Sequence, residues 1–325
     1  MTTQPAGSHR AQLVPQRVDA PLTASAVFLV VTVNGDAAET VQTVRSALAG
    51  LDDLVKTVGF RDLNGHVSCT AGIGSKVWDA VVGLPKPAEL HPFQAVQGPK
   101  HTAVSTPGDV LFHIRAERRD LCFELERQLL ASLGDAVTVV DETVGFRYFD
   151  NRDLLGFVDG TANPTGTAVD EAVLVAADDD SSSPAAPGGS YVVVQKYVHD
   201  MTAWTRLRTE EQEAIIGRTK LDNVELPDAD GATVQRSHKT LNTVESEGGE
   251  LEILRDNMPF GSPGSGEFGT YFIGYTRRLW VLETMLKRMF SGDPPGLHDR
   301  LLDYSTALTG SVFFVPASGV LAGLE

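Results

Sequence analysis

A chain of 325 residues, 42% of them hydrophobic, can bury a large core and is long enough for two domains. Its formal net charge of -16 repels phosphate backbones and anionic lipid, so neither nucleic acid nor a membrane surface is expected as a partner. Only two cysteines occur, Cys69 and Cys122, and there is no Cys-x-x-Cys. That excludes a disulfide framework, a zinc cluster and covalent c-type haem, and it points to a reducing, cytoplasmic setting.

Residues 1–22 are polar and proline-broken, with no signal-peptide core and no twin arginine, and read as a disordered arm. No apolar run nears the roughly 20 residues that span a bilayer. SAVFLVVTV over 25–33 predicts a buried strand, followed by a helical stretch over about 36–58 and strands over 66–74 and 109–117. Residues 119–133 place Leu121, Leu125, Leu129, Leu130 and Leu133 at helical spacing. Strands over 136–141 and 146–149 close a β-α-β-β-α-β unit within 23–150. Residues 151–190 connect it to the next unit, and the stretch AADDDSSSPAAPGGS predicts a flexible surface linker. The order then repeats within 191–325: strand 190–197, helix 210–218, strands near 251–260 and 270–277, helix 279–290 and strand 311–316. Two such units predict a duplicated ferredoxin-like α+β fold, two antiparallel sheets with peripheral helices.

The most informative stretch is LGFVDGTANP at 155–164. Glycines on either side of an aspartate, followed by Thr-x-Asn-Pro, suit a tight loop that presents the Asp159 carboxylate from an apolar setting. A structural Asx-turn is the plain alternative. In LEILRDNMPFG at 251–261, strand alternation puts Leu251, Ile253, Arg255 and Asn257 on one face. A guanidinium aimed inward must meet a carboxylate, an anionic ligand or water, and Asp159 is a candidate partner. Among the histidines, His113 sits in a strand as a core residue. His238 and His199 compete for a ligand role, and local pattern does not choose between them.

GFVDGTANP, RSHKTL, LRDNMPFG, GTYFIGYTR and LLDYSTALTG, in this order and spacing, resemble the dye-decolourising peroxidase family in its shorter bacterial B-type subgroup. The resemblance runs from about residue 24 to 316. It implies a non-covalent haem b held mainly by the second unit, and hydrogen peroxide oxidising dyes, phenols and similar aromatic donors through an oxoferryl haem. Position by position, His238 matches the axial ligand of the haem iron. Asp299 is the first choice and Asp303 the second for the carboxylate that holds its other nitrogen. Asp159, Arg255 and Asn257 match the distal catalytic group, with Gly160 and Thr161 beside it. Phe272 matches a residue of the distal pocket, and Arg218 matches the partner of a haem propionate.

Large donors would be oxidised at the haem edge or through surface aromatics, for which Trp204, Trp280, Tyr271 and Tyr275 are candidates. Ala162 stands where the subgroup commonly has glutamate, which weakens any expectation of manganese oxidation. A homo-oligomer is expected from relatives. The chain stops at 325 without a long tail, so loading into an encapsulin shell is unsupported. The alternative functions are a haem-handling or iron-handling protein without a peroxidase role, and a haem-free binding module with Asp159 and Arg255 as a structural ion pair.

Overall fold

Alternation along the first strand sets the layering. The computed structural model describes residues 14–324 except 230 and 232. In β1 (Ser25–Val33), Val27, Leu29 and Val31 join the core under the helices, while Ala26, Phe28 and Val30 join a second core between two sheets. Both faces are buried, so the strand reads as a continuous apolar run. Behind it come α1 (Ala38–Ala49) and α2 (Leu51–Gly59), the predicted single helical stretch having broken at Gly50. β2 (Ser68–Ile73), β3 (Val110–Ala116), α3 (Arg119–Leu133) and β4 (Val137–Phe146) complete the first unit. The strand order is β2-β3-β1-β4, all antiparallel. The two strands predicted over 136–149 are one, and the chain leaves it through Phe149 at φ 45°.

The second unit repeats this order. It comprises β5 (Ser190–His199), α4 (Thr209–Ile216), the one-turn α5 (His238–Leu241), β6 (Leu254–Arg255), β7 (Met258–Ser262) and β8 (Glu267–Thr276). α6 (Leu279–Ser291), β9 (Ser305–Ala307) and β10 (Ser311–Val315) follow. The order is β6/β7-β8-β5-β10, again antiparallel. β10 also meets β2, Phe314 opposite Ile73, so the two sheets join at an edge. They pack through stacked rings, Phe28 lying 4.1 Å from Tyr271. His113 is fully buried here with Nδ1 2.9 Å from the Tyr275 hydroxyl, as a core histidine should be.

Three further expectations change. The segment predicted as one strand over 251–260 is split into Gly249–Leu251, Leu254–Arg255 and Met258–Ser262. Residues 1–13 of the expected disordered arm lie outside the described residues, but within 14–22 Gln16 and Val18 are buried. The Gln16 amide donates to Ala71 O and Pro316 O and accepts from Ala71 N, touching both units. The linker within 176–190 is pinned too: Asp179 pairs with Arg277 and Arg278, Asp180 accepts from Ala88 N, and Ser183 donates to Pro85 O. A composition rich in Asp and Ser predicts exposure only until those side chains find partners. Among the described residues, no helix is long and apolar enough to cross a membrane.

Candidate active site

His238 opens α5, a turn capped by the Ser237 side chain, which accepts from Thr240 N. Its Nδ1 lies 2.6 Å from Oδ2 of Asp299, a residue with no solvent exposure. The other Asp299 oxygen accepts from Leu301 N, and Asn242 donates its amide to His238 O at 2.8 Å. A short contact to a buried carboxylate places the ring proton on Nδ1 and leaves Nε2 as the nitrogen with a free lone pair. Asp303, the second choice for this partner, instead meets His101, His298 and Lys100. His199 is placed differently from His238. Its Nδ1 bonds Ser305 Oγ and its Nε2 bonds Thr270 Oγ1, and burial pushes its pKa down to about 4. With both nitrogens engaged it is a structural residue, although it lines the same cavity.

The glycine-rich loop does what its spacing suggests. Gly156 and Gly160 have φ of 96° and 75°, conformations that favour glycine. The Asp159 carboxylate accepts from Gly160 N at 2.7 Å and from the Asn257 amide at 3.1 and 3.3 Å. Asn257 is itself oriented by Ile273 N, which donates to its Oδ1 at 3.1 Å. Ile253, Arg255 and Asn257 line the cavity, and Leu251, predicted on the same face, does not, so the alternation carries across the broken strand for three of the four residues. Arg255 does not form the predicted ion pair with Asp159. Its Nε is sealed from solvent without a partner among the described residues, and burial lowers its pKa while Asp159 opposes the shift. An arginine stays charged under such pressure, so this guanidinium is a positive charge held for something else.

The cavity that gathers these groups measures ≈ 310 Å³. Leu282, Met285, Leu286 and Met289 from α6 supply apolar wall, with Phe272 from β8. Gly160, Thr161 and Ala162 line it as well. Arg218 and Lys239 bring cations to the lining, each bonded to Glu225. Asp159, Gly160, Arg255 and Asn257 also border a smaller cavity of ≈ 40 Å³ beside Arg147, Tyr148 and Asn151. That volume admits water-sized molecules. Of the four aromatics expected at the surface, Trp204, Tyr271 and Tyr275 are buried and only Trp280 reaches solvent, at 39% exposure.

Two contributors were not read from the sequence. The Asn163 amide accepts from Arg255 N and donates to Arg255 O, so a side chain replaces a missing strand partner and fastens the loop to the arginine. The Asn of the Thr-x-Asn-Pro motif was the available signal. Asp153 lines the cavity and accepts from Phe157 N. Burial pushes its carboxyl up to about 7, against the Phe157 N–H and with Asp159 adding to the rise. No local pattern marks it.

A pKa raised on folding means that the stabilising contribution is full below the unfolded value near 4 and is lost as pH rises through 7. Asp153→Asn, which cannot ionise, should flatten that loss by about 1–2 kcal/mol, less than the full shift implies because Asp153 is only half-buried and solvent screens it. Urea unfolding of haem-free protein from pH 4 to 8 checks this. Parallel curves for wild type and variant would refute it.

A histidine held through Nδ1 by a buried carboxylate, an apolar cavity of ligand size and unsatisfied positive charge in its wall define a haem-protein site. The residues fit that group: His238 Nε2 is left to bind iron, α6 and Phe272 can cover the macrocycle, and Arg218 and Lys239 can meet its carboxylates.

Comparison with known proteins gives the same class. The family description Dyp-type peroxidase, N-terminal, matches residues 15–147, and Dyp-type peroxidase, C-terminal, matches 150–320. A dye-decolorizing peroxidase of Mycobacterium tuberculosis is 54% identical over 303 residues, 93% of this chain and 88% of that protein. DyPB from Rhodococcus jostii RHA1 superposes with a TM-score of 0.90 at 56% identity, over 96% of this chain and 99% of that one. Variants of that protein have been solved in complex with heme. The encapsulated DyP-type peroxidase from Mycobacterium smegmatis gives a TM-score of 0.89 at 52% identity, over 96% of this chain and 98% of its own. The chain belongs to the Dyp-type peroxidase family. It is a haem-dependent peroxidase, and the iron-handling alternative is not favoured.

Proposed function

We propose that His238 would hold the haem iron through Nε2, and that Asp159, Arg255 and Asn257 would handle the protons and charge of the peroxide that reacts there. The bound haem supplies the iron that accepts peroxide and stores its oxidising equivalents. The protein's part is proton and charge handling. One peroxide oxygen must lose a proton and the other must gain one before leaving as water. Asp159 is the carboxylate that carries it, directly or through one water. Arg255 stabilises the negative charge that develops on the leaving oxygen. Asn257 is a positioning residue: its amide spans both Asp159 oxygens while Ile273 N fixes its own orientation. That contact is the observation that carries the assignment, since it holds the carboxylate in the cavity lining with a guanidinium whose Nε has no partner among the described residues.

Asp299 orients His238 and makes it a stronger donor to iron. Arg218 takes a haem propionate, Gly160 and Thr161 border the macrocycle, and Phe272 closes the pocket over the peroxide site. The ≈ 40 Å³ cavity behind the distal group is the route for peroxide and water. Dyes and phenols are too large for it and give up electrons at the haem edge, or through Trp280 as the one exposed candidate. A variant of the R. jostii protein has been solved in complex with manganese. Here Ala162 offers no carboxylate and Glu225 is already bonded to Arg218 and Lys239, so manganese is not assigned as a substrate.

The chain divides near residue 150 into two ferredoxin-like domains, the second of which holds the haem. Buried free cysteines suit a cytoplasmic location, and a homo-oligomer is the expected assembly.

Asp159→Asn is the test of the proton shuttle. The second-order rate of reaction with peroxide should fall about 10²-fold, with the acid limb of its pH profile altered and haem content retained. An unchanged rate and profile would remove Asp159 from the mechanism.

A further inference from the structure

Two imidazoles and a carboxylate converge away from the haem cavity. Among the described residues, His101, His298 and Asp303 place one ligand atom each within 4.8 Å of one another. Nε2 of His101 and Nε2 of His298 each lie 3.0 Å from the same oxygen, Asp303 Oδ1. None of the three lines the haem cavity. We propose that these residues bind a divalent cation of the zinc class and that the ion ties the first unit to the proximal segment of the second.

The spacing supports a shared ion. Bonds of about 2.0–2.1 Å around a tetrahedral cation set neighbouring donor atoms about 3.3 Å apart, close to the 3.0 Å from each nitrogen to the shared oxygen. The imidazole rings are inclined at 65° with centroids 5.0 Å apart and are not stacked, which leaves room for one ion between their nitrogens. All three residues are half-buried, which leaves a fourth position open to water. Two nitrogens and one carboxylate oxygen select zinc, cobalt, nickel or copper over calcium and magnesium, which prefer oxygen alone.

The competing arrangement is a carboxylate serving as acceptor for both imidazoles and for Lys100, whose Nζ reaches the same oxygen. That oxygen is crowded, and Lys100 is 59% exposed and free to swing into solvent when a cation arrives. The placement gives the ion a consequence. His101 lies in the loop between the paired strands Val96–Gln97 and Thr102–Ala103 of the first unit. His298 precedes, and Asp303 ends, the turn capped by Asp299, the partner of His238. The His298 carbonyl also accepts from the Gln235 amide, close to His238 in sequence. An ion here would clamp the segment that holds the proximal histidine.

The test is zinc titration of chelator-treated holoprotein by calorimetry, with metal content counted on the recovered protein. Wild type should take up one zinc per chain saturably and not respond to magnesium. His101→Gln and Asp303→Asn should each weaken binding at least about tenfold, the loss that even an outer-shell partner commonly causes. Lys100→Met, which removes the competing charge, should tighten it. A wild-type Soret band and circular dichroism in each variant show that the fold and haem are intact, so that lost binding is loss of ligands. Zinc uptake that is absent in wild type, or unchanged in His101→Gln, would overturn the proposal.

Discussion

Arg255→Leu is expected to lower kcat/KM for peroxide by 10²–10³, about 3–4 kcal/mol of transition-state stabilisation, while haem content stays near wild type. The size follows from the setting. The guanidinium lines the cavity with its Nε sealed from water and, among the described residues, without an acceptor, so a bound haem that displaces solvent would leave the charge in a medium that screens it weakly. Leucine keeps the width of the side chain and removes the charge. The backbone should not move, because Asn163 holds Arg255 through its N and O and not through its side chain. Folding stability should hold or rise slightly, since burial of the cation is itself unfavourable and burial lowers its pKa. Arg255→Lys should recover part of the rate, as it restores charge without the planar fork. Stopped-flow mixing with peroxide measures both variants. A loss of less than a few-fold in the leucine variant would move the burden of charge stabilisation elsewhere.

How far the sequence reveals this site depends on the range of each interaction. Local backbone demands were legible: glycines around Asp159 predict the tight loop, and strand alternation puts Ile253, Arg255 and Asn257 on one face even though the strand is broken. Duplication of the β-α-β-β-α-β order was legible because each strand and helix carries its own periodicity. Partners far apart in the chain were not. Nothing near Asn257 shows that its amide will span Asp159, and the expected Arg255–Asp159 ion pair gave way to it. His199 and His238 look alike as isolated histidines. Ser305, Thr270 and Asp299, all distant in sequence, decide which one keeps a free nitrogen. The arm and the linker failed for the same reason, since their polar side chains find partners that composition cannot anticipate.

His238→Ala should abolish histidine ligation of the haem. The ferric Soret band should shift and broaden, haem should be lost more readily on dilution, and added imidazole should restore a ligated spectrum by entering the vacated space. His199 is not a substitute, because both its nitrogens are engaged and turning one free would leave Ser305 or Thr270 without its partner. An unaltered spectrum in the variant would therefore contradict the assignment outright. The same substitution has a second effect that separates structure from ligation. Asp299 has no solvent exposure and loses the imidazole that faces it, retaining Leu301 N as a donor. Breaking a buried pair at one end costs about 3–5 kcal/mol, and the 28% exposure of His238 argues for the low end. The haem-free variant should therefore unfold at lower urea than wild-type apoprotein. Adding Asp299→Asn should recover part of that stability by removing the orphaned carboxylate, yet it should leave the haem spectrum as defective as in the single variant. Recovery of both together would mean that His238 serves the fold and not the iron.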